Sequence, residues 1–162
     1  MPVPAGYSRT QIALHWVVVL LILAQFLFHE PMAEAWDVVE DGGAAVTSAG
    51  VLLHIIGGIA VLVFALWRLA LRMTRGVPAL PANDPPLQRL AAHLGHWGLY
   101  ALMVAVPLSG MAAWGGGIKA AGEAHEVLKT LLLLLVLVHV AAALWHQFWL
   151  KDGLIDRMKR PG

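Results

Sequence analysis

Charged residues are so sparse along this chain that four long apolar runs define its layout. From Thr10 to Phe28 no residue carries a formal charge, and a second uncharged run extends from Thr47 to Trp67. A third lies between Arg89 and Lys119, and the fourth contains TLLLLLVLVHVAAALW. About 20 consecutive, predominantly apolar residues suffice to cross a bilayer as a helix. The pattern predicts helices over about 9–30, 47–74, 87–114 and 123–150, in a single transmembrane domain spanning 1–162. The expected fold class is all-α, an integral membrane four-helix bundle.

The stretches between the runs carry helix-breaking or turn-forming residues. Residues 31–47 contain Pro31, Gly42-Gly43 and the acids Glu34, Asp37, Glu40 and Asp41, with Glu30 just before them and no Lys or Arg; they are expected to connect the first two helices. GVPALPANDPP is a proline-rich connector that cannot be helical. GGGIKAAGE reads as a tight, flexible turn, and Pro107 with Gly110 should bend the third helix. Ser8 is placed to cap the first helix. Ala33-Glu34-Ala35 mimics a signal-peptide cleavage site. The apolar run before it exceeds the usual signal core of about 7–15 residues and holds His15 near its start, so it is read as a membrane helix.

Composition supports a lipid setting, since 59% of the 162 residues are hydrophobic and only 13% are charged, against about 25% charged in soluble domains. Placement of charge is more informative than the net +1. Arg9, Arg68, Arg72, Arg75, Arg89, Lys151, Arg157, Lys159 and Arg160 share the side of both termini and the middle connector, whereas only Lys119 and Lys129 fall on the other, acidic side. The positive-inside rule therefore predicts that both termini are cytoplasmic. Cysteine is absent, which excludes disulfides, thiolate iron–sulfur clusters, Cys-containing zinc sites and covalent C-x-x-C-H haem attachment. Nothing points to a nucleic-acid partner.

The eight histidines then become the candidate chemistry. His125, His139 and His146 lie along one stripe of the fourth helix, because spacings of 14 and 7 residues return to nearly the same face. Fourteen residues correspond to a rise of roughly 21 Å, about two-thirds of the hydrocarbon thickness. The predicted topology puts His15, His93, His96, His139 and His146 toward the cytoplasm, and His29, His54 and His125 toward the outside. A lone membrane histidine commonly serves only as an interhelical hydrogen-bonding group, the plainest reading for His93, His96 and His146 near the interface. Uncompensated polar groups deeper in hydrocarbon cost several kcal/mol, so His54 and His139 point to cofactors. Imidazole suits zinc, copper, iron and nickel. The spans hold essentially no Asp or Glu for a zinc or proton transporter, and a flat haem ring held from two helices fits better. Gly57-Gly58, Gly95 and Gly98 would allow a ring close to the backbone or simply close helix packing.

YSRTQIALHW, LHIIGGIAVLVFALWRLALR, LAAHLGHWGLYALMVAVPLSGMAAW and AHEVLKTLLLLLVLVHVAAALWHQFWLKDGLIDRM together resemble the bacterial cytochrome b561 family in order and spacing, over nearly the whole chain. The resemblance implies a four-helix, di-haem b protein of the bacterial inner membrane that exchanges electrons with the quinone pool, one branch oxidising superoxide and reducing ubiquinone. It implies two non-covalent haem b groups with bis-histidine ligation. His15 and His139 would hold the cytoplasmic-side haem, and His54 and His125 the outer one. Spacing alone would also pair His29 with His125, but His29 borders Glu30-Pro31 at a helix end, and His54 sits in the family motif. Two features depart from the family pattern: the segment between helices three and four is short, and Lys129 follows His125 by one turn. Lys129 is placed to meet a haem propionate or to snorkel.

Arg68, Arg72, His93, His96, Trp97 and His146 form a basic, aromatic cytoplasmic edge, candidates for contact with propionates or a quinone head group, or a positive-inside rim. The expected partners are membrane lipid, quinone, and superoxide or a redox protein as donor. The main alternative is a haem b membrane-anchor subunit of a dehydrogenase or hydrogenase complex, which an extra helix or an extended docking segment would favour. A histidine-lined metal or proton transporter is the other.

Overall fold

The computed structural model describes residues 4–79 and 85–162. Its helices are α1 (Arg9–Leu27), α2 (Glu30–Glu40), α3 (Ala49–Arg75), α4 (Pro86–Gly116) and α5 (Lys119–Trp145), followed by a π-helical turn at His146–Leu150 and a 3-10 turn at Ile155–Met158. Among the described residues, α1, α3, α4 and α5 with its π turn are long and apolar enough to cross a membrane, and the fold is an all-α bundle with four such helices. Part of the proline-rich connector, 80–84, lies outside the described residues; residues 76–79 beside it are non-helical, as expected.

Local chemistry sets the helix ends. Ser8 Oγ accepts from the Gln11 N–H (3.2 Å) while Gln11 Oε1 accepts from the Ser8 N–H (2.9 Å), a capping box that satisfies otherwise orphaned donors. Ser48 caps α3 through the Val51 N–H at 3.3 Å. Gly117, at φ 64°, closes α4 in the left-handed region where glycine is unstrained.

Two boundaries and one element differ from the sequence expectation. The first helix stops at Leu27 rather than near residue 30, and the fourth span begins at Lys119 rather than 123 because its polar first turn is already helical. The larger difference is α2, in the stretch expected to be a connector. Pro31 sits in its first turn, where its missing N–H costs nothing, and Glu30 complements the helix dipole there. Met32, Ala35, Trp36 and Val39 form its partly buried side, and the acids Glu30, Glu34, Asp37 and Glu40 are exposed. That spacing of three and four residues was the available sequence signal, masked by acids and proline.

α4 packs most extensively on α5, α1 on α3, and α3 on α4. The core is small: Val18, Val61, Ala65, Met103 and Leu132 meet at mid-height. Leu20, Leu53 and Val138 are each more than 60% exposed, as lipid-facing residues should be. An even number of spans returns both ends of the chain to one end of the bundle. There the Gly162 N–H donates to Tyr7 O (3.3 Å), Trp16 Nε1 to Met158 O (2.8 Å) and an Arg157 Nη to Ala79 O (2.7 Å). This is the terminal end; the opposite, α2 end carries the acidic helix, joined to α5 by Lys119 Nζ donating to Glu40 O (2.6 Å).

Candidate functional site

Histidines from different helices meet at two levels. At the terminal end His15 of α1 faces His139 of α5 with ring centres 6.4 Å apart; toward the α2 end His54 of α3 faces His125 of α5, also at 6.4 Å. His125 and His139 are separated by fourteen helical residues, so the two levels lie roughly 21 Å apart along α5. Between them sits the packed core.

The α2-end pair opens into a cavity of about 1070 Å³, lined in part by Gln25, Gly58, Pro107, Gly110 and Trp114, with Trp36 of α2 against one wall. Pro107 removes one helical N–H from α4. The Val106 carbonyl beside it accepts from Ser109 Oγ (2.8 Å) and from the His125 Nδ1–H (2.9 Å). That bond directs the Nε2 edge of His125 away from α4's backbone. Gly110 makes the approach possible: a Cβ there would lie 3.0 Å from His125 Cε1. His54 Nδ1 is buried with no hydrogen-bond partner, a costly state that calls for one. His29 also lines this cavity, its Nδ1 held by Phe26 O (2.9 Å), and it stands at the start of α2. The structure places no ring contact between His29 and His125.

At the terminal end the neighbourhood is more crowded than sequence reasoning anticipated. His96 of α4 comes within 5.7 Å of His139, ring centre to ring centre, nearer than His15. Its rotation about α4 could not be read from a helix whose polar face is so weakly marked. His15 also stacks edge-on with Trp16 at 5.3 Å. Arg68 donates a long bond to Gln11 O (3.4 Å), and Arg72 lies over Trp97 at 5.5 Å. Burial raises the Tyr7 hydroxyl above its usual range, against the pull of Arg72. His146 pairs with Asp152 just beyond the π turn. Burial alone would raise Asp152. The bonds from His146 and the Leu154 N–H, with the charges of His146 and Arg157, hold it below the ordinary carboxylate range. His93 is exposed near the start of α4, and Lys129 Nζ is engaged by Glu126 at 2.6 Å.

Among the described residues no group of three or more His, Cys, Asp or Glu side chains converges as a metal centre. Zinc takes three or four protein ligands; opposed imidazole pairs suit a metal that brings its own equatorial donors, as haem iron does. The architecture and its paired imidazoles thus define a membrane cytochrome. The model of the prokaryotic cytochrome b561 family matches residues 6–161, and the chain belongs to that family. It is 43% identical over 158 residues to cytochrome b562 of Cereibacter sphaeroides, covering 96% of each chain. It is also 31% identical over 176 residues to the probable superoxide oxidase CybB of Yersinia pestis, covering 94% of each. To cytochrome b561 homolog 1 of Escherichia coli it is 28% identical over 173 residues, covering 94% of this chain and 96% of that one.

The family implies haem b and electron transport, and the residues present fit that group. An imidazole nitrogen bound to a transition metal at about 2.0–2.1 Å lies roughly 1 Å from its ring centre, so two rings on opposite sides of one metal have centres about 6 Å apart. Both pairs stand at 6.4 Å. The unpartnered His54 Nδ1 and the glycine-lined cavity add to the fit.

Proposed function

We propose that this chain is a multi-pass di-haem b electron-transfer protein of the bacterial inner membrane, with both termini cytoplasmic, exchanging electrons with the quinone pool. The observation that carries the reading is the repeated opposed imidazole pair, at one spacing and two depths on α5. His15 and His139 would hold one haem at the terminal end, and His54 and His125 the other at the α2 end. His96 neighbours His139 but is assigned no metal, because the His15–His139 separation is the one that matches the other level. When bound, haem supplies a one-electron ferric/ferrous couple.

The chain's own residues hold that couple in place. The Val106 carbonyl fixes the His125 ring through Nδ1, the backbone anchor expected of a metal-bound imidazole. With two imidazoles holding each haem, the chain would leave no ligand position on the iron open to oxygen. Apolar packing around Val61, Met103 and Leu132 keeps water out of the space between the levels. Superoxide as donor, the activity in the name of the Yersinia pestis relative, is the less favoured reading here. Asp37, Glu40, Glu123 and Glu126 line the α2-end cavity, and carboxylates repel an anion. A redox protein or a quinol meets no such barrier; ubiquinone is the expected acceptor at the terminal end, near Arg72, Trp97 and His146.

Reduced-minus-oxidised absorbance of protein made with ample haem tests this. A b-type α-band with about two haems per chain is expected. His139→Ala should remove one haem and His54→Ala the other, while His96→Ala keeps both. No α-band would overturn the haem reading; unchanged stoichiometry in His139→Ala would overturn the pairing. Stopped-flow mixing with superoxide, with and without quinone, decides the donor.

A further inference from the structure

Val106 O, in the turn of α4 that carries Pro107, accepts from two side chains at once. The Ser109 hydroxyl donates to it at 2.8 Å and His125 Nδ1–H at 2.9 Å, while Ser109 Oγ itself lies 3.3 Å from His125 Nδ1. A serine bonded to the carbonyl three residues earlier is by itself an ordinary helix feature. Here, however, the carbonyl it occupies is also the one that orients an imidazole arriving from α5. Gly110 lets the ring come that close, since a Cβ there would stand 3.0 Å from His125 Cε1 and 3.1 Å from Nδ1. His54 Nδ1 has no partner, so the Nδ1 hydrogen bonding of this pair runs through the Val106–Ser109 turn.

These three groups have one consistent proton arrangement. The hydroxyl hydrogen of Ser109 is committed to Val106 O, so Ser109 Oγ and Val106 O both present lone pairs to His125 Nδ1. Nδ1 therefore carries the ring hydrogen, and Nε2 is left with the lone pair a metal needs. The hydroxyl has a second consequence, because a carbonyl shared between two donors accepts less strongly from each. Strong acceptance from Nδ1–H makes a ligating imidazole more basic. Ser109 could also act in the opposite sense, by accepting from Nδ1–H itself. Length decides between the two: 2.8 Å is the preferred O–H···O distance, whereas 3.3 Å lies beyond the usual range for N–H···O. Competition for Val106 O prevails.

We infer that Ser109 is a positioning residue of the α2-end site that acts through Val106 O: by drawing on that carbonyl, its hydroxyl limits how electron-rich the His125 ligand becomes. The inference rests on the di-haem reading above and concerns one imidazole. Ferric iron carries one more positive charge than ferrous iron and gains more from an electron-rich ligand. Removing the hydroxyl strengthens the bond from His125 Nδ1–H to Val106 O and so favours the ferric form at this site. His139 lies roughly 21 Å further along α5, and the terminal-end site is untouched by the change. Ser109 contributes no ligand atom; its effect reaches the metal only through the ring of His125.

Electron paramagnetic resonance of the oxidised, haem-loaded full chain, paired with a redox titration of its α-band, tests the inference. In Ser109→Ala the haem content should stay at the wild-type value, and one of two low-spin ferric signals should move while the other does not. The component that moves should be the one missing from His54→Ala, and its reduction equilibrium should shift several-fold toward the ferric form. Ser109→Thr keeps a hydroxyl able to reach a carbonyl one turn back, and it should restore both the signal and the equilibrium. Unmoved signals in Ser109→Ala, a shift toward the ferrous form, equal shifts in the two variants, or movement of the component that His54→Ala keeps would overturn the inference. So would loss of the α2-end haem from Ser109→Ala, because the hydroxyl would then hold the ring in place and not moderate its bond. A chain that binds no haem, or a His54→Ala chain that keeps both signals, would instead overturn the di-haem reading itself.

Discussion

At the terminal end the imidazoles sit beneath a cap of chain fastened by backbone acceptors, with the tail joined to the N-terminal segment and α1 through Tyr7 O and Met158 O and to the connector after α3 through Ala79 O. At the α2 end they open into a cavity of about 1070 Å³ flanked by a short amphipathic helix. The first arrangement is crowded, with His15, His96 and His139 in ring contact near Arg68. The second is spacious and rimmed with carboxylates. The same helix supplies an imidazole to each, so what distinguishes the two levels is what other elements bring. α1 and the two chain ends dominate one, and α2 with the Pro107 turn of α4 the other.

The sharpest way to break this comparison is to damage one level only. Gly110→Val places a branched side chain where a Cβ alone would come within 3.0 Å of His125 Cε1. The ring cannot yield without losing its Nδ1 bond to Val106 O. The α2-end haem should be lost and the terminal-end haem kept, read as a halving of haem per chain with one potential remaining. Equal loss of both would show that the levels are not independent.

A smaller effect should come from loosening the cover. Trp36 of α2 packs against α5 over Gly122, where any Cβ would collide with the indole. Gly122→Val should push α2 outward and leave haem content unchanged. A water-soluble reductant should then reduce the α2-end component several-fold faster in stopped-flow mixing, with the terminal-end component unaffected. Unaltered kinetics would mean that α2 does not govern access.

The two ends also differ in how much of them could be read in the chain. The spans are plain because lipid demands long uncharged runs, and the expected pairing of His15 with His139 and His54 with His125 rests on family resemblance and depth; the rings of each couple stand 6.4 Å apart. α2 was hidden because an interfacial helix of 11 residues with Pro31 at its start and acids along its exposed side has the composition of a loop. His96 was placed at the interface on sequence depth alone, whereas helix rotation turns it toward His139. Lys129 is a propionate candidate by sequence, and the structure pairs it with Glu126, three residues earlier. Depth along a helix is encoded in sequence; rotation about its axis is encoded only by a strong polar stripe, which α4 lacks.

The smallest expected effect concerns the fastened end. Asp152 is held below its ordinary pKa of 3.8 chiefly by the bond from His146, despite partial burial. A carboxylate whose folded pKa is depressed stabilises the fold above its unfolded pKa and loses that contribution as pH falls through the lower, folded value. The contribution of the Asp152 carboxylate to tail docking should therefore be lost only as pH falls below about the unfolded carboxylate value. Asp152→Asn should remove this acid dependence at a cost of about 1 kcal/mol, the scale of a single hydrogen bond. Proteolytic release of the C-terminal tail, followed across pH in wild type and variant, measures it. If the variant keeps the wild-type acid sensitivity, the tail is held by its backbone bonds to Tyr7 and Trp16 and the His146–Asp152 pair is incidental to it.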